Sequence, residues 1–152
     1  MIDLKLYKRP LAALTVTGDK VRVTPGILSK FSNALAETGV NVYAATTGEY
    51  SVSFFVDEEK HAEAKKKMQD VVQKESAFIS VNLLKNIGMV TVTGRELIDT
   101  PGMLLRVIEP VSKKKINILS VAHSFDSVML MVDWDDARKA YEAIEEQFVK
   151  GL

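Results

Sequence analysis

The chain has 152 residues, 20 basic against 20 acidic, no cysteine and 47% hydrophobic residues. That length suits one domain or two small ones of about 75 residues, the zero net charge argues against nucleic-acid binding, and the missing cysteines exclude disulfides, thiolate metal sites and cysteine nucleophiles. Apolar stretches fall well short of the roughly 20 residues that cross a bilayer, and the opening MIDLKLYKRP alternates instead of forming a signal-peptide core, so a cytoplasmic protein without a membrane partner is expected.

Residues 2–8 have the alternation of a strand. Residues 11–17 carry the β-branched content of another. A polar loop, 18–24, follows and ends in Thr24-Pro25-Gly26. Thr is a good N-cap and Pro is favoured at the first helical position, so a helix is predicted to begin at Pro25. Ile27, Leu28, Phe31, Ala34 and Leu35 form its apolar stripe, and Gly39 supplies its stop. Residues 40–46 and 50–56 read as strands joined by a turn. Asp57 reads as the N-cap of an amphipathic helix of about 58–75, with Ala64, Met68, Val71 and Val72 inward. Residues 77–84 read as one more strand.

From there the pattern starts again. Sliding the sequence by 76 positions aligns it with itself without a gap, and 15 of the 76 pairs are identical. The identities cluster: Thr15-Val16-Thr17-Gly18 on Thr91-Val92-Thr93-Gly94, Thr24-Pro25-Gly26 on Thr100-Pro101-Gly102, Asn41 on Asn117, Ser51-Val52 on Ser127-Val128 and Val56-Asp57 on Val132-Asp133. Clustering marks an internal repeat rather than chance. The second copy therefore predicts strands at 89–94, 116–122 and 127–132, a polar loop at 94–100, a helix from Pro101 striped by Met103, Leu104, Val107, Ile108 and Val111, and a helix of about 134–149 behind Asp133. Ala137, Ala140, Ile144 and Phe148 face inward on the last. Pro110 stands where the first copy has Ala34 and is expected to bend or end its helix about a turn early.

Two βαββαβ units follow, each ferredoxin-like: an α+β fold with a four-stranded antiparallel sheet and two helices. The expected modules are 11–84 and 88–152. The second ends after its helix, one strand short, and residues 2–8 are the strand left to complete it. The alternative is a hairpin of 2–8 onto 11–17 across Arg9-Pro10.

Enzyme chemistry finds little support. His61 opens a charged helix, where a solvated role is expected. His123, Ser124 and Asp126 sit within four positions on one turn, whereas triad members come from separate elements. Carboxylates at Glu58, Glu59, Asp133, Asp135 and Asp136 open helices, where the dipole explains them. No phosphate-binding or metal-ligand spacing occurs, and no cofactor is expected. What remains is the duplicated Thr-Pro-Gly loop. Free amides and the positive dipole end at a helix mouth suit a small carboxylate, and Gly26, expected at the second helical position, would let a ligand approach closely. The same three residues are also simply a good helix start. Asn41-Val42, opening the next strand, could hold the ammonium or side chain of an amino acid.

The strand ending in Gly, the loop to Pro-Gly, the "VNV" and "INI" strands and the segment GVNVYAATTGEYSVSFFVDEE resemble ACT domains, small modules that bind amino acids. Two in tandem behind an orphan strand resemble the regulatory region of aspartate kinases over about residues 2–150. The resemblance implies an allosteric sensor of lysine or threonine, without catalysis of its own, that acts on an aspartate kinase catalytic chain. It also implies a homodimer through the first module, with effector held between the loop of one module and a strand of another. Carried over residue by residue, the loop positions are Val21, Val23, Thr24, Gly26, Ile27 and Leu28, and the strand and turn positions are Asn41, Val42, Tyr43, Gly48 and Glu49. Lysine-sensitive members similar to this chain carry an acidic residue where Tyr43 stands, which leaves Glu49 as the nearest carboxylate. The second module departs further, with Leu119 for Tyr43, and is expected to be the structural partner. Two other readings stay open: a ligand-free dimerisation module, and the regulatory fragment of a full-length kinase.

Overall fold

The computed structural model describes residues 1–19, 21, 25–75 and 80–150, the last without its side chain. Its elements are β1 (Asp3–Leu6), β2 (Leu11–Thr17), α1 (Ile27–Glu37), β3 (Val42–Thr47), β4 (Ser51–Asp57), α2 (His61–Lys74), β5 (Ser80–Thr93), α3 (Glu96–Asp99), α4 (Met103–Lys113), β6 (Ile118–His123), β7 (Ser127–Asp133) and α5 (Ala137–Lys150). They divide into two compact units, residues 11–85 and residues 1–10 with 86–152.

In the first unit the sheet order is β3-β4-β2-β5. β2 and β4 pair antiparallel from Leu11↔Asp57 to Thr17↔Ser51, which turns Leu14, Val16, Val52, Phe54 and Val56 to one core. α1 covers that face with Phe31 and Leu35, and α2 with Ala64 and Met68, while Val71 and Val72 pack partly against it. The Phe31 and Phe54 rings meet at 6.3 Å, tilted by 46°. Ala-sized and β-branched residues on the strands leave room for these larger side chains, the interdigitation that close packing requires.

The second unit repeats this plan. β5 pairs antiparallel with β7 over Ile87↔Asp133 to Thr93↔Ser127, and β7 with β6. β1 lies antiparallel on the other side of β5, from Asp3↔Thr93 to Leu6↔Val90, so the N-terminal strand completes this module. Ile2, Leu4 and Leu6 pack onto its core of Val90, Val92, Val107, Val111, Leu130 and Ile144. Gly88 permits the tight seat of α5: a Cβ there would lie 2.4 Å from Ala137 Cβ.

Several local expectations are corrected. Neither repeat helix begins at its proline; α1 starts at Ile27 and α4 at Met103, each behind a glycine N-cap in the left-handed region, Gly26 at φ 79° and Gly102 at φ 82°. Only glycine enters that region without a steric penalty, so the glycine turns the chain into the helix rather than forming part of it. Pro110 does not shorten α4, which has 11 residues like α1; three residues from the end, it removes one bond of the last turn. The separate strands expected at 77–84 and 89–94 form one strand from Ser80 onward, continued through Asn86 in the left-handed region (φ 61°); residues 77–79 lie outside the described residues. Within the polar loop 94–100 stands the short helix α3. A 3₁₀ turn, Glu58–Lys60 or Trp134–Asp136, precedes each later helix. His61 is half-buried rather than solvated, with Nδ1 shielded and unpartnered among the described residues.

Candidate functional site

Where β2 hands over to α1, Gly26 reverses the chain and the first intrahelical bond runs from Lys30 N–H to Gly26 O (3.0 Å). The amides of Ile27, Leu28 and Ser29 precede that bond, so they are the donors a helix start leaves over. A Cβ built on Gly26 would meet nothing within 4 Å, so the space above the mouth is open. Facing it is the β3–β4 hairpin, closed by Gly48 N–H to Ser51 O at 2.7 Å.

Between them lies a cavity of about 500 Å³. Val21, Ile27, Leu28 and Val52 give it apolar walls, Gly26 and Gly48 bare backbone, and Ser29 and Thr47 its hydroxyls. Leu28, expected inside, is 46% exposed and serves as a wall. None of these lining residues carries a charge, so the polar character of the cavity comes from hydroxyls and from the dipole end of α1.

The fold gathers Val21, Gly26, Ile27, Leu28 and Gly48 around that cavity. Val23 and Thr24 lie outside the described residues. Asn41 and Val42 are exposed, at the far end of edge strand β3. Tyr43 is five residues from Gly48, roughly 16 Å along a strand at about 3.3 Å per residue. It is the extra residue of a β-bulge, since pairing jumps from Val42↔Val56 to Ala44↔Phe55. Bulges re-aim side chains, and the Tyr43 hydroxyl donates to Asp57 Oδ2 at 2.9 Å. Asp57, only 8% exposed, therefore does not cap the turn behind it as expected, whereas Asp133 accepts from Asp135 N–H at 2.9 Å. Glu49 is exposed at the hairpin tip, outside the cavity lining. Ser29, Thr47 and Val52 are additions to the expected set, Thr47 and Val52 being partners across the hairpin.

In the second module Gly102 repeats the left-handed start and Arg106 N–H bonds Gly102 O at 3.1 Å. The Ser124 hydroxyl is within 2.5 Å of Ser127 Oγ, so the serine of the apparent trio is engaged within its own turn. Among the described residues no group of three or more His, Asp or Glu could hold a metal, and no helix is long and apolar enough to cross a membrane.

Residues 14–71 match the family profile of the ACT domain, and residues 83–146 match a second ACT-domain profile. The chain is 23% identical over 145 residues to the chloroplastic bifunctional aspartokinase/homoserine dehydrogenase 2 of Zea mays, covering 91% of this chain and 16% of that protein. It therefore spans about a sixth of the length of the curated relatives it matches. Among solved structures it resembles the ligand-free regulatory subunit of aspartate kinase from Thermus thermophilus (TM-score 0.79, 22% identity, 95% of this chain and 96% of that one). It also resembles the Clostridium acetobutylicum aspartate kinase, described as an allosteric enzyme (TM-score 0.85, 21% identity, 99% of this chain and 34% of that one).

Proposed function

This chain belongs to the ACT-domain family, with two domains in tandem, and from that premise we propose that it is the regulatory subunit, or regulatory region, of an aspartate kinase. It senses a free amino acid of the aspartate family, lysine or threonine, and does no catalysis itself. The observation that carries this reading is the uncharged cavity of about 500 Å³ between the mouth of α1 and the β3–β4 hairpin. Its size lies within the range of small-molecule sites. The effector carboxylate meets the amides of Ile27, Leu28 and Ser29, where the helix dipole favours an anion. Thr24 and Val23 of the loop belong to the same site in this reading.

Asn41, Val42, Tyr43 and Glu49 come from a second copy. β3 is an edge strand whose outer backbone groups are left for another chain, and a homodimer through the first module would bring a partner's strand to the mouth. Effector bound across that seam favours one arrangement of the dimer. A tenfold preference is worth about 1.4 kcal/mol, and the attached or associated kinase responds by the same amount. A second reading, a dimerisation module without ligand, is favoured by Gly26 itself, because its φ of 79° explains the glycine without any effector.

A thermal-shift screen of the twenty amino acids separates the two. Specific saturation at a hundredfold excess over Kd stabilises by about 2.7 kcal/mol. Lysine or threonine should raise the melting temperature, and Gly26→Asp should abolish the rise in a protein that still melts cooperatively. A flat response to all twenty favours the ligand-free module, and turnover of aspartate with ATP by these residues alone would overturn both.

A further inference from the structure

A pocket of about 310 Å³ opens in the second module between β1, the loop before α4 and the end of α5. Ile2, Leu4, Met103 and Phe148 give it apolar walls, and three charged groups line it, Glu96, Arg106 and the α-amino end of Met1. The Arg106 guanidinium sits 5.2 Å from the centre of the Phe148 ring. Its N–H reaches the Met103 sulfur at 3.7 Å, a weak acceptor, and no carboxylate among the described residues pairs with it. Of the Glu96 carboxylate, Oε1 accepts from the Met1 α-amino group, while Oε2 is shielded from solvent and has no hydrogen-bond partner among the described residues. That ammonium holds the Glu96 carboxyl below its usual range, so the group is charged at neutral pH.

The repeat shows what is missing. Arg106 corresponds to Lys30, whose ammonium pairs with Glu75 in the first module. The position corresponding to Glu75 is Gly151, and the one corresponding to Glu96 is Lys20. The second module has thus kept the cation as a guanidinium, lost its carboxylate partner and gained an acid nearby. A guanidinium over an aromatic face is pre-set for a planar carboxylate. Of the pocket residues named, Met103 alone corresponds to a residue lining the first-module cavity, Ile27, so this is not the second copy of that site.

We propose that this pocket is a separate binding site for a free α-amino acid with an apolar side chain. The ligand carboxylate pairs with Arg106, its ammonium with the Glu96 carboxylate, and its side chain lies against Ile2, Leu4, Met103 and Phe148. Charged side chains are rejected because the remaining wall would desolvate them without compensation.

Isothermal titration of the whole chain with leucine, isoleucine, valine, methionine and phenylalanine tests the assignment. At least one should bind, and its 2-oxo acid, which lacks the ammonium, at least tenfold more weakly. Arg106→Gln and Glu96→Gln should each weaken the amino acid at least tenfold, Arg106→Lys less, and Gly26→Asp not at all. No heat from any of the five, or an isotherm unmoved by Arg106→Gln, overturns the proposal. So does an isotherm abolished by Gly26→Asp, since the ligand would then be in the first module.

Discussion

At the mouth of α1 stand Ser29 and Thr47, with Glu49 at the adjoining hairpin tip; at the corresponding positions around α4 stand Leu105, His123 and Phe125. Leu105 is 63% and Phe125 77% exposed. Behind both mouths the backbone is the same: a left-handed glycine, an 11-residue helix, and a bulged edge strand whose extra residue is Tyr43 in one module and Leu119 in the other. Buried positions have kept their hydrophobicity across the repeat, while the positions around the mouths have changed chemical class. Duplication has preserved a scaffold and released its surface, which is why effector binding is assigned to one mouth only.

The largest expected effect tests whether the modules stand as separate folding units. Phe31, buried against Phe54, corresponds to Val107, also fully buried. Phe31→Ala should cost about 3–5 kcal/mol and Val107→Ala about 2 kcal/mol. The chain's one tryptophan, Trp134, lies in the second module, so its fluorescence reports that module alone. In urea, Phe31→Ala should move the circular-dichroism transition well ahead of the fluorescence transition. Coincident transitions would show that the two modules unfold as one.

A smaller effect sharpens the contrast between the mouths. Gly26 and Gly102 have nearly the same φ, and a Cβ would meet nothing within 4 Å at either. Alanine at each should therefore cost only the left-handed conformation, about 1–2 kcal/mol. Matched losses by thermal melt, with lysine or threonine binding lost in Gly26→Ala alone, would support the division of labour. Loss of binding in Gly102→Ala would place the effector in the second module.

Next comes the pair of aspartates. Asp133 caps its turn, and replacing it by Ala should cost about 1 kcal/mol. Asp57 instead holds the Tyr43 hydroxyl, for which Leu119 offers no counterpart. A double-mutant cycle of Tyr43→Phe with Asp57→Asn should give a coupling of about 1 kcal/mol, whereas Leu119→Ala with Asp133→Asn should give none. Equal couplings would mean that the bulge, not the hydroxyl, ties edge strand to neighbour.

Much of this architecture was legible because the repeat is gapless: once Thr-Val-Thr-Gly and Thr-Pro-Gly recur at one spacing, strands and helices assign each other, and the odd strand at 2–8 has one vacancy to fill. Leu28 was misplaced because periodicity locates a stripe, not its margin; it lies where the stripe meets the cavity. The 3₁₀ turns escaped because Glu58-Glu59 and Asp135-Asp136 suit a first helical turn of either kind. Asp57 misled for a physical reason: an aspartate before a helix is normally its cap, and only the bulge brings a competing phenol to it. Ser29 and Thr47 meet at one cavity only because the hairpin faces the helix mouth, a contact between segments that no local pattern encodes.

Pro110 gives the smallest expected effect and the last test of equivalence. Its partner in the first module is Ala34, yet α4 runs on to Lys113, where Lys114 N–H is shared between Pro110 O and Val111 O at 3.3 and 3.2 Å. The proline removes one donor, from residue 110 to the carbonyl of Arg106, and its ring restricts the unfolded chain. Pro110→Ala restores a bond worth about 1 kcal/mol and gives back about 0.4–1 kcal/mol of chain entropy. The two nearly cancel, so denaturant midpoints of Pro110→Ala and the parent protein should differ by less than about 1 kcal/mol. A gain of several kcal/mol would mean that the proline strains α4 and that the two helices are equal in length but not in stability.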